Sequence, residues 1–233
     1  MSIAVGVYDF FAYTLPGGLY LLFFWLICAR LDAAPAPSQI ASLSTIQVVV
    51  LGVLSYLLGL LAAPLSWNKW FLLFGPADAQ KAAFERVRRT YPNVDLQFSA
   101  NQWPVLQGRL ALEHRDALVE VHKHRATYIM LRSTSFALLL LSVLEMLGWL
   151  QPSGIEIVEV MKAVLAALFL LFLSALAARQ SHKFADWSHS LVYELTIAQA
   201  MEPADFVHKI EVAHGFEAVR EAPTAEPAVR PAE

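Results

Sequence analysis

The sequence predicts an all-α membrane protein with four transmembrane helices and helical extensions on the cytoplasmic side. Of its 233 residues, 57% are hydrophobic and 16% are charged, whereas soluble domains have about 45–50% and about 25%. Residues 10–29 and 33–67 carry no charge, and about 20 apolar residues suffice for a helix to cross a bilayer core of about 30 Å. The charges instead gather in the middle of the chain and towards its end.

The first transmembrane hairpin is predicted over residues 1–66, with spans at about 10–30 and 46–66. Pro35 and Pro37 separate the spans, because proline lacks the amide donor that a helix interior needs. Pro16-Gly17-Gly18 in span one predicts either a kink or a close helix contact, and an inert kink is favoured over a gating hinge. Asp9 and the long apolar stretch favour a retained anchor over a signal peptide.

The second hairpin is predicted over residues 129–178, with spans at about 129–150 and 158–178 and a turn at Gln151-Pro152-Ser153-Gly154. The cytoplasmic part then comprises a helical segment at 67–128, an extension at 179–220 and a disordered tail at 221–233. Asp78 is a candidate N-cap for a helix that ends near Thr90. A helix resuming at Pro104 is expected to reach Leu150, about 70 Å away. Span four is expected to continue to about Ala200, and a short helix to follow at 204–212.

Charge placement predicts the orientation of the spans. Basic residues concentrate between spans two and three and after span four, whereas Arg30 and Lys162 are the two near the opposite side. The positive-inside rule therefore places both termini and the long middle segment in the cytoplasm.

Composition and missing motifs exclude several classes of protein. Lys and Arg number 17 against 20 Asp and Glu, so nucleic acid is not an expected partner. Cys28 is the single cysteine, which excludes a disulfide framework and a thiol metal cluster. The sequence contains no Gly-rich phosphate loop and no HExxH, GxSxG or CxxC motif. The prediction is a non-enzyme without cofactor or bound metal.

Two groups of titratable residues nevertheless have helical spacing. His182, Asp186 and His189 share one helix face below span four, and two imidazoles with a carboxylate could hold a metal. The favoured interpretation is a solvated face near the headgroups. Asp116, Glu120 and His124 repeat along the preceding long helix, where metal binding would need ligands from other helices.

A stripe on the same long helix has near-heptad spacing, and a polar residue in such a seam more often sets the register of helix packing than it carries chemistry. It contains Leu110, His114, Ala117 and Val121. Membrane topology explains the basic residues Lys81, Arg86, Arg88 and Arg89, with contact to anionic lipid or to nucleic acid as the alternatives.

Glu145 is an acidic residue within span three. A carboxylate in a membrane is costly and is by default a functional candidate, although this one lies near enough to Leu150 to reach the outer interface. A transporter or membrane-embedded enzyme would use Glu145 or the His182, Asp186 and His189 face. The other spans contain few polar residues, so the sensor or effector is favoured over this alternative.

Gly52 and Gly59, seven residues apart in span two, predict a packing surface for another helix. A single bundle of four apolar helices leaves no wet path, so any ion conduction would require several copies. The predicted assembly is therefore a homo-oligomer, with this glycine face and the apolar stripe as its contact surfaces.

Three short segments carry a family resemblance. They are Tyr8-Asp9-Phe10-Phe11 with Leu15-Pro16-Gly17, a charged middle segment ending at Arg125, and Met130-Leu131-Arg132-Ser133. In these the chain resembles small multi-pass bacterial inner-membrane proteins encoded in phage-defence islands. The resemblance implies a membrane sensor or effector that works with a cytoplasmic protein partner in antiviral defence, in some systems by compromising the inner membrane.

Overall fold

The computed structural model describes residues 3–31, 44–66, 73–76, 78–92, 94, 98–113, 117–148 and 157–200. These residues form six α-helices and no strand, so the all-α prediction is confirmed. The helices are α1 (Ile3–Arg30), α2 (Thr45–Ala62), α3 (Ala79–Thr90), α4 (Trp103–Glu113), α5 (Ala117–Leu147) and α6 (Ile157–Ala200). Short 3-10 turns at Pro64–Ser66 and Ala100–Gln102 follow α2 and precede α4.

Four of the helices are long and apolar enough to cross a membrane. The candidate spans are Gly6–Arg30, Thr45–Ala62, Leu118–Leu147 and Ile157–Gln199. The chain is thus a multi-pass membrane protein with the predicted number of spans. At 1.5 Å per residue, the 44 residues of α6 reach about 66 Å, far beyond a bilayer core of about 30 Å.

Some predicted elements differ or lie outside the described residues. The single helix expected from Pro104 to Leu150 is described as two helices, α4 and α5, and residues 114–116 between them lie outside. The loop at 33–38, the turn at 151–154, the helix at 204–212 and the tail also lie outside the described residues.

Capping side chains explain where two helices begin. The Ser44 backbone N–H donates to Gln47 Oε1 at 2.8 Å, and the Gln47 N–H donates to Ser44 Oγ at 3.4 Å. This reciprocal capping box starts α2. Asp78 accepts a hydrogen bond from the Lys81 N–H at 3.0 Å, which confirms it as the N-cap of α3.

The four spans pack in a row rather than around a common axis. The main contacts are those of α1 with α2, α1 with α5, and α5 with α6, which gives the order α2, α1, α5, α6. Each outer helix therefore has one principal neighbour in the membrane. Large apolar side chains are exposed on both outer helices, as at Val49 (61%) and Phe172 (63%).

The α1–α2 contact depends on glycine. A Cβ at Gly17 would overlap the carbonyl oxygen of Ser55, and a Cβ at Gly59 would overlap that of Tyr13. The two contacts are reciprocal across the antiparallel pair, one turn apart on each helix. Close backbone approach between small residues is a principal source of helix association in lipid. The Pro16-Gly17-Gly18 segment therefore provides a close helix contact, the second of its two predicted roles.

The α5–α6 contact is built on hydroxyl groups at seven-residue intervals. Ser142 Oγ donates to the Ala167 carbonyl at 2.8 Å, and Ser181 Oγ donates to the Tyr128 carbonyl at 3.2 Å. Between these levels, Ser135 Oγ donates to the Ser174 carbonyl at 2.8 Å and Ser174 Oγ donates to the Ser135 carbonyl at 2.7 Å. Satisfied hydroxyls of small residues let two apolar helices approach closely and fix their register.

A second core lies at one end of the spans, and we name it the helical module. It consists of α3, α4, residues 117–128 of α5 and residues 179–200 of α6. Its buried apolar side chains are Ala83, Val87, Trp103, Leu110, Leu118, Val121, Val192, Tyr193 and Ile197. We call this end of the spans the module side.

Candidate functional site

The predicted His182, Asp186 and His189 face lies within the helical module, at the contact of α6 with α3 and α4. His182 and Asp186 are each 8% exposed, so the prediction of a solvated face is wrong for both. α3 and the turn before it cover this side of α6, which the local sequence of α6 does not reveal. A Cβ at Gly75, in that turn, would overlap the His182 ring. Only glycine therefore allows the turn to approach so closely.

Asp186 is paired across the helix contact. Arg86 Nη1 on α3 donates to Asp186 Oδ2. The arginine side chain is 60% exposed and the aspartate side chain is 11% exposed, so one end of the pair faces solvent. Burial raises the pKa of Asp186 above its ordinary value, although the Arg86 charge opposes that shift. Arg86 thus joins α3 to α6. Its charge is paired with Asp186, unlike the free charge expected for a member of the predicted basic group on α3.

His189 lies against an aromatic side chain of α4. Its ring packs edge-on against the Trp103 indole, with centroids 4.8 Å apart, and the Arg125 guanidinium lies 6.0 Å from the same indole centroid. Burial, assisted by the Arg125 charge, lowers the pKa of His189 to about 4. His189 is therefore neutral at pH 7 and connects α6 to α4 by packing.

Metal binding is not supported by the geometry of these groups. Over the described part of the chain, no cluster of three or more His, Cys, Asp or Glu side chains is arranged to hold a metal ion. In the second predicted group, His124 Nε2 lies 3.4 Å from Glu120 Oε1. The His124 ring contacts Phe184 and Trp187 on α6, with centroid distances of 5.7 Å to each. Asp116 lies outside the described residues.

The described residues of the near-heptad stripe pack against other helices of the same chain. Leu110 is 1% exposed and Val121 is fully buried, both in the core of the helical module. His114 and the side chain of Ala117 lie outside the described residues. The visible part of the stripe therefore contacts this chain's own helices.

No family model, curated protein or solved structure matches this chain.

Glu145 is paired with the arginine at the end of span one. Arg30 Nη2 lies 3.4 Å from Glu145 Oε2, and both side chains are a little over one quarter exposed. Arg30 Nη1 also donates to the Leu144 carbonyl, and a Cβ at Gly148 would come within 3.0 Å of the guanidinium. The intramembrane carboxylate thus belongs to a contact that joins α1 to α5 at the end of the spans opposite the helical module.

The two glycines of span two have different surroundings. Gly59 is buried against Tyr13 of α1, whereas a Cβ at Gly52 would meet nothing within 4 Å. Gly59 therefore packs within the chain. A role for Gly52 in contacting another copy stays a prediction.

Arg132 lies near the start of predicted span three and has a structural role. It is 6% exposed, and its Nε donates to Ser66 Oγ at 2.8 Å while Nη2 donates to the Ala63 carbonyl at 3.3 Å. A cation beside the last carbonyls of a helix compensates their partial negative charge. Arg132 thus fastens the module-side end of α2 to α5.

Proposed function

We propose that this chain is a non-enzymatic sensor or effector of the bacterial inner membrane that couples a cytoplasmic signal or protein partner to the bilayer. The observation that carries the proposal is the continuity of α6, which is one helix from Ile157 to Ala200. The same helix supplies the fourth span and the centre of the helical module. A partner that displaces the module would therefore move a span directly.

Contacts in both parts of α6 support this coupling. In the helical module Val192 and Tyr193 are fully buried in the core, and in the span Ser174 is hydrogen-bonded to Ser135. An uninterrupted helix transmits displacement because every backbone hydrogen bond along it resists bending. Movement of the module would therefore change the register or tilt of α6 against α5.

A helix break between the module and the span tests the coupling. Gln180→Pro would remove a backbone hydrogen bond and kink α6 just beyond the predicted span, whereas Gln180→Ala preserves the helix. In bacteria that express the chain and are challenged with a panel of phages, we expect wild type and Gln180→Ala to reduce plaque counts. Infected cells should lose membrane potential, and Gln180→Pro should abolish both effects at equal membrane abundance. Wild-type cells that match the empty-vector strain in both measurements would overturn the effector proposal.

The proposed orientation places the helical module and both termini in the cytoplasm, in accord with the distribution of Lys and Arg. Reporters fused after Pro92 and at Glu233 should be active as cytoplasmic fusions, and a reporter at Pro37 should be active outside. A periplasmic signal at Pro92 would contradict this orientation.

A homo-oligomer is proposed because α2 has one principal neighbour in the row of spans and Gly52 faces open space. The open edge of α2 suits packing against another copy. Gly52→Leu should shift the assembly towards monomer in mild detergent and in lipid nanodiscs, as measured by mass. A wild-type chain that is monomeric in both media yet fully active would exclude this part of the proposal.

The contacts of the two candidate carboxylates do not favour a transporter or a membrane-embedded enzyme. Glu145 contacts Arg30, and Asp186 contacts Arg86, so the two carboxylates that such an activity would use are already engaged in helix–helix contacts.

A further inference from the structure

One exposed stripe runs along α6 from the span into the helical module. Its apolar members lie three or four residues apart and face away from α5, as shown by Leu165 (63% exposed), Phe169 (61%) and Leu176 (52%). From Ile157 to Leu176 the helix rises about 29 Å, which matches the bilayer core of about 30 Å. This stripe is therefore the lipid-facing side of α6.

Two exposed cations continue the same stripe immediately beyond its apolar part. Arg179 and Lys183 are both exposed and are one turn apart. They lie about 4.5 Å and about 10 Å beyond Leu176 along the helix. A headgroup layer is about 5–7 Å thick on each side of the core. Arg179 falls within this layer, and the flexible stem of Lys183 lets its ammonium reach back to it.

Two other cations near this end of the spans are engaged within the chain. Arg132 is buried on Ser66 and Ala63. Lys123 Nζ lies 3.1 Å from Glu120 Oε1. By contrast, neither Arg179 nor Lys183 forms an ion pair with an acidic side chain in the described part of the chain. Their charges are therefore available to a ligand from the bilayer.

We propose that Arg179 and Lys183 bind the headgroup phosphate of anionic phospholipids in the leaflet on the module side. The continuity of the cations with a lipid-facing stripe favours phospholipid as the occupant. A second copy in the same membrane orientation, related by a two-fold axis beside this stripe, would place Arg179 next to Arg179. Such like-charge juxtaposition opposes self-association through α6, which leaves the stripe to lipid.

Competition between two lipids tests the proposal on the full chain. The protein in detergent micelles is supplied with equal dioleoylphosphatidylglycerol and dioleoylphosphatidylcholine, and native mass spectrometry counts the lipids retained. One cation close to an anionic bilayer favours binding by about fivefold, so two cations give a preference on the order of 25-fold. Arg179→Gln with Lys183→Gln should bring the ratio close to one.

The matched control is Arg88→Gln with Arg89→Gln, which removes the same charge from an exposed pair on α3. This variant should keep the preference for phosphatidylglycerol. Equal loss in the control, or an unchanged ratio in the α6 variant, would overturn the proposal. The charge-preserving exchange of Arg179→Lys with Lys183→Arg should retain the preference, and its loss there would also overturn it.

Two measurements on the wild-type chain test the source of the phosphate and the electrostatic origin of the preference. Added inorganic phosphate should leave the bound phosphatidylglycerol in place, and its full displacement would show a free-phosphate site instead. Raising the KCl concentration should lower the preference, because salt screens exposed charges. A preference that does not change with salt would refute the electrostatic assignment.

Discussion

Gly59→Ala should weaken the contact between spans one and two, whereas Gly52→Ala in the same helix should not. Both substitutions gain about 1 kcal/mol of helix propensity. At Gly59 the new Cβ would overlap the Tyr13 carbonyl oxygen, a backbone atom that cannot rotate away, whereas at Gly52 it would meet open space. Overpacking costs about 1–3 kcal/mol, and a backbone overlap belongs at the upper end. We therefore expect Gly59→Ala to be about 3 kcal/mol less stable than Gly52→Ala.

Unfolding of the purified protein by increasing SDS in mixed micelles, followed by circular dichroism, would measure this difference. Gly17→Ala should behave like Gly59→Ala, because its Cβ would overlap the Ser55 carbonyl oxygen across the same contact. The reasoning would be refuted if Gly59→Ala and Gly52→Ala had equal free energies of unfolding. Such a result would mean that α1 and α2 do not approach through these glycines.

Three further predictions concern polar contacts. Ser135→Ala and Ser174→Ala should each lower the free energy of unfolding in SDS by about 1 kcal/mol, since each removes one intramembrane hydrogen bond to a carbonyl of the partner helix; two substitutions without effect would contradict the reciprocal bonds. In a double-mutant cycle of SDS unfolding, Arg30→Gln and Glu145→Gln should show a coupling energy of about 0.5–1 kcal/mol, as for a partly exposed ion pair. A coupling energy of zero would show that the two side chains do not interact. The pKa of His189 is about 4 in the folded chain against 6.5 ordinarily, so the unfolded chain takes up a proton first and stability should fall as pH drops from 6.5 towards 4. His189→Gln should remove that part of the pH dependence in chemical denaturation, and an unchanged profile would show that His189 is not buried as a neutral ring.

The pairing of the four spans illustrates what required the tertiary structure. Arg30 and Glu145 were each visible as charges near one side of the membrane, but their contact joins residues 115 positions apart. The same holds for Arg132, whose role depends on the end of α2 lying beside it. Long-range pairs of this kind are fixed by helix packing, which a local pattern does not encode.

The sequence contains a signal for the serine hydrogen bonds between α5 and α6. Ser135 and Ser142 are seven residues apart, as are Ser174 and Ser181. Antiparallel helices that repeat a small polar residue at this interval can bring each one to face a carbonyl of the partner helix. The spacing alone does not tell which helix is the partner, because every span in this chain is apolar enough to be one.

Local sequence patterns were sufficient to predict the helical class, the number of spans, the N-cap at Asp78 and the continuation of span four to about residue 200. These features follow from local composition and from the length of a bilayer crossing, so no distant contact is needed to predict them. The burial of His182 and Asp186, by contrast, depends on how distant helices pack. A helix face with two imidazoles and a carboxylate is polar enough for solvent, and it becomes interior because α3 brings Arg86 and the turn at Gly75 against it.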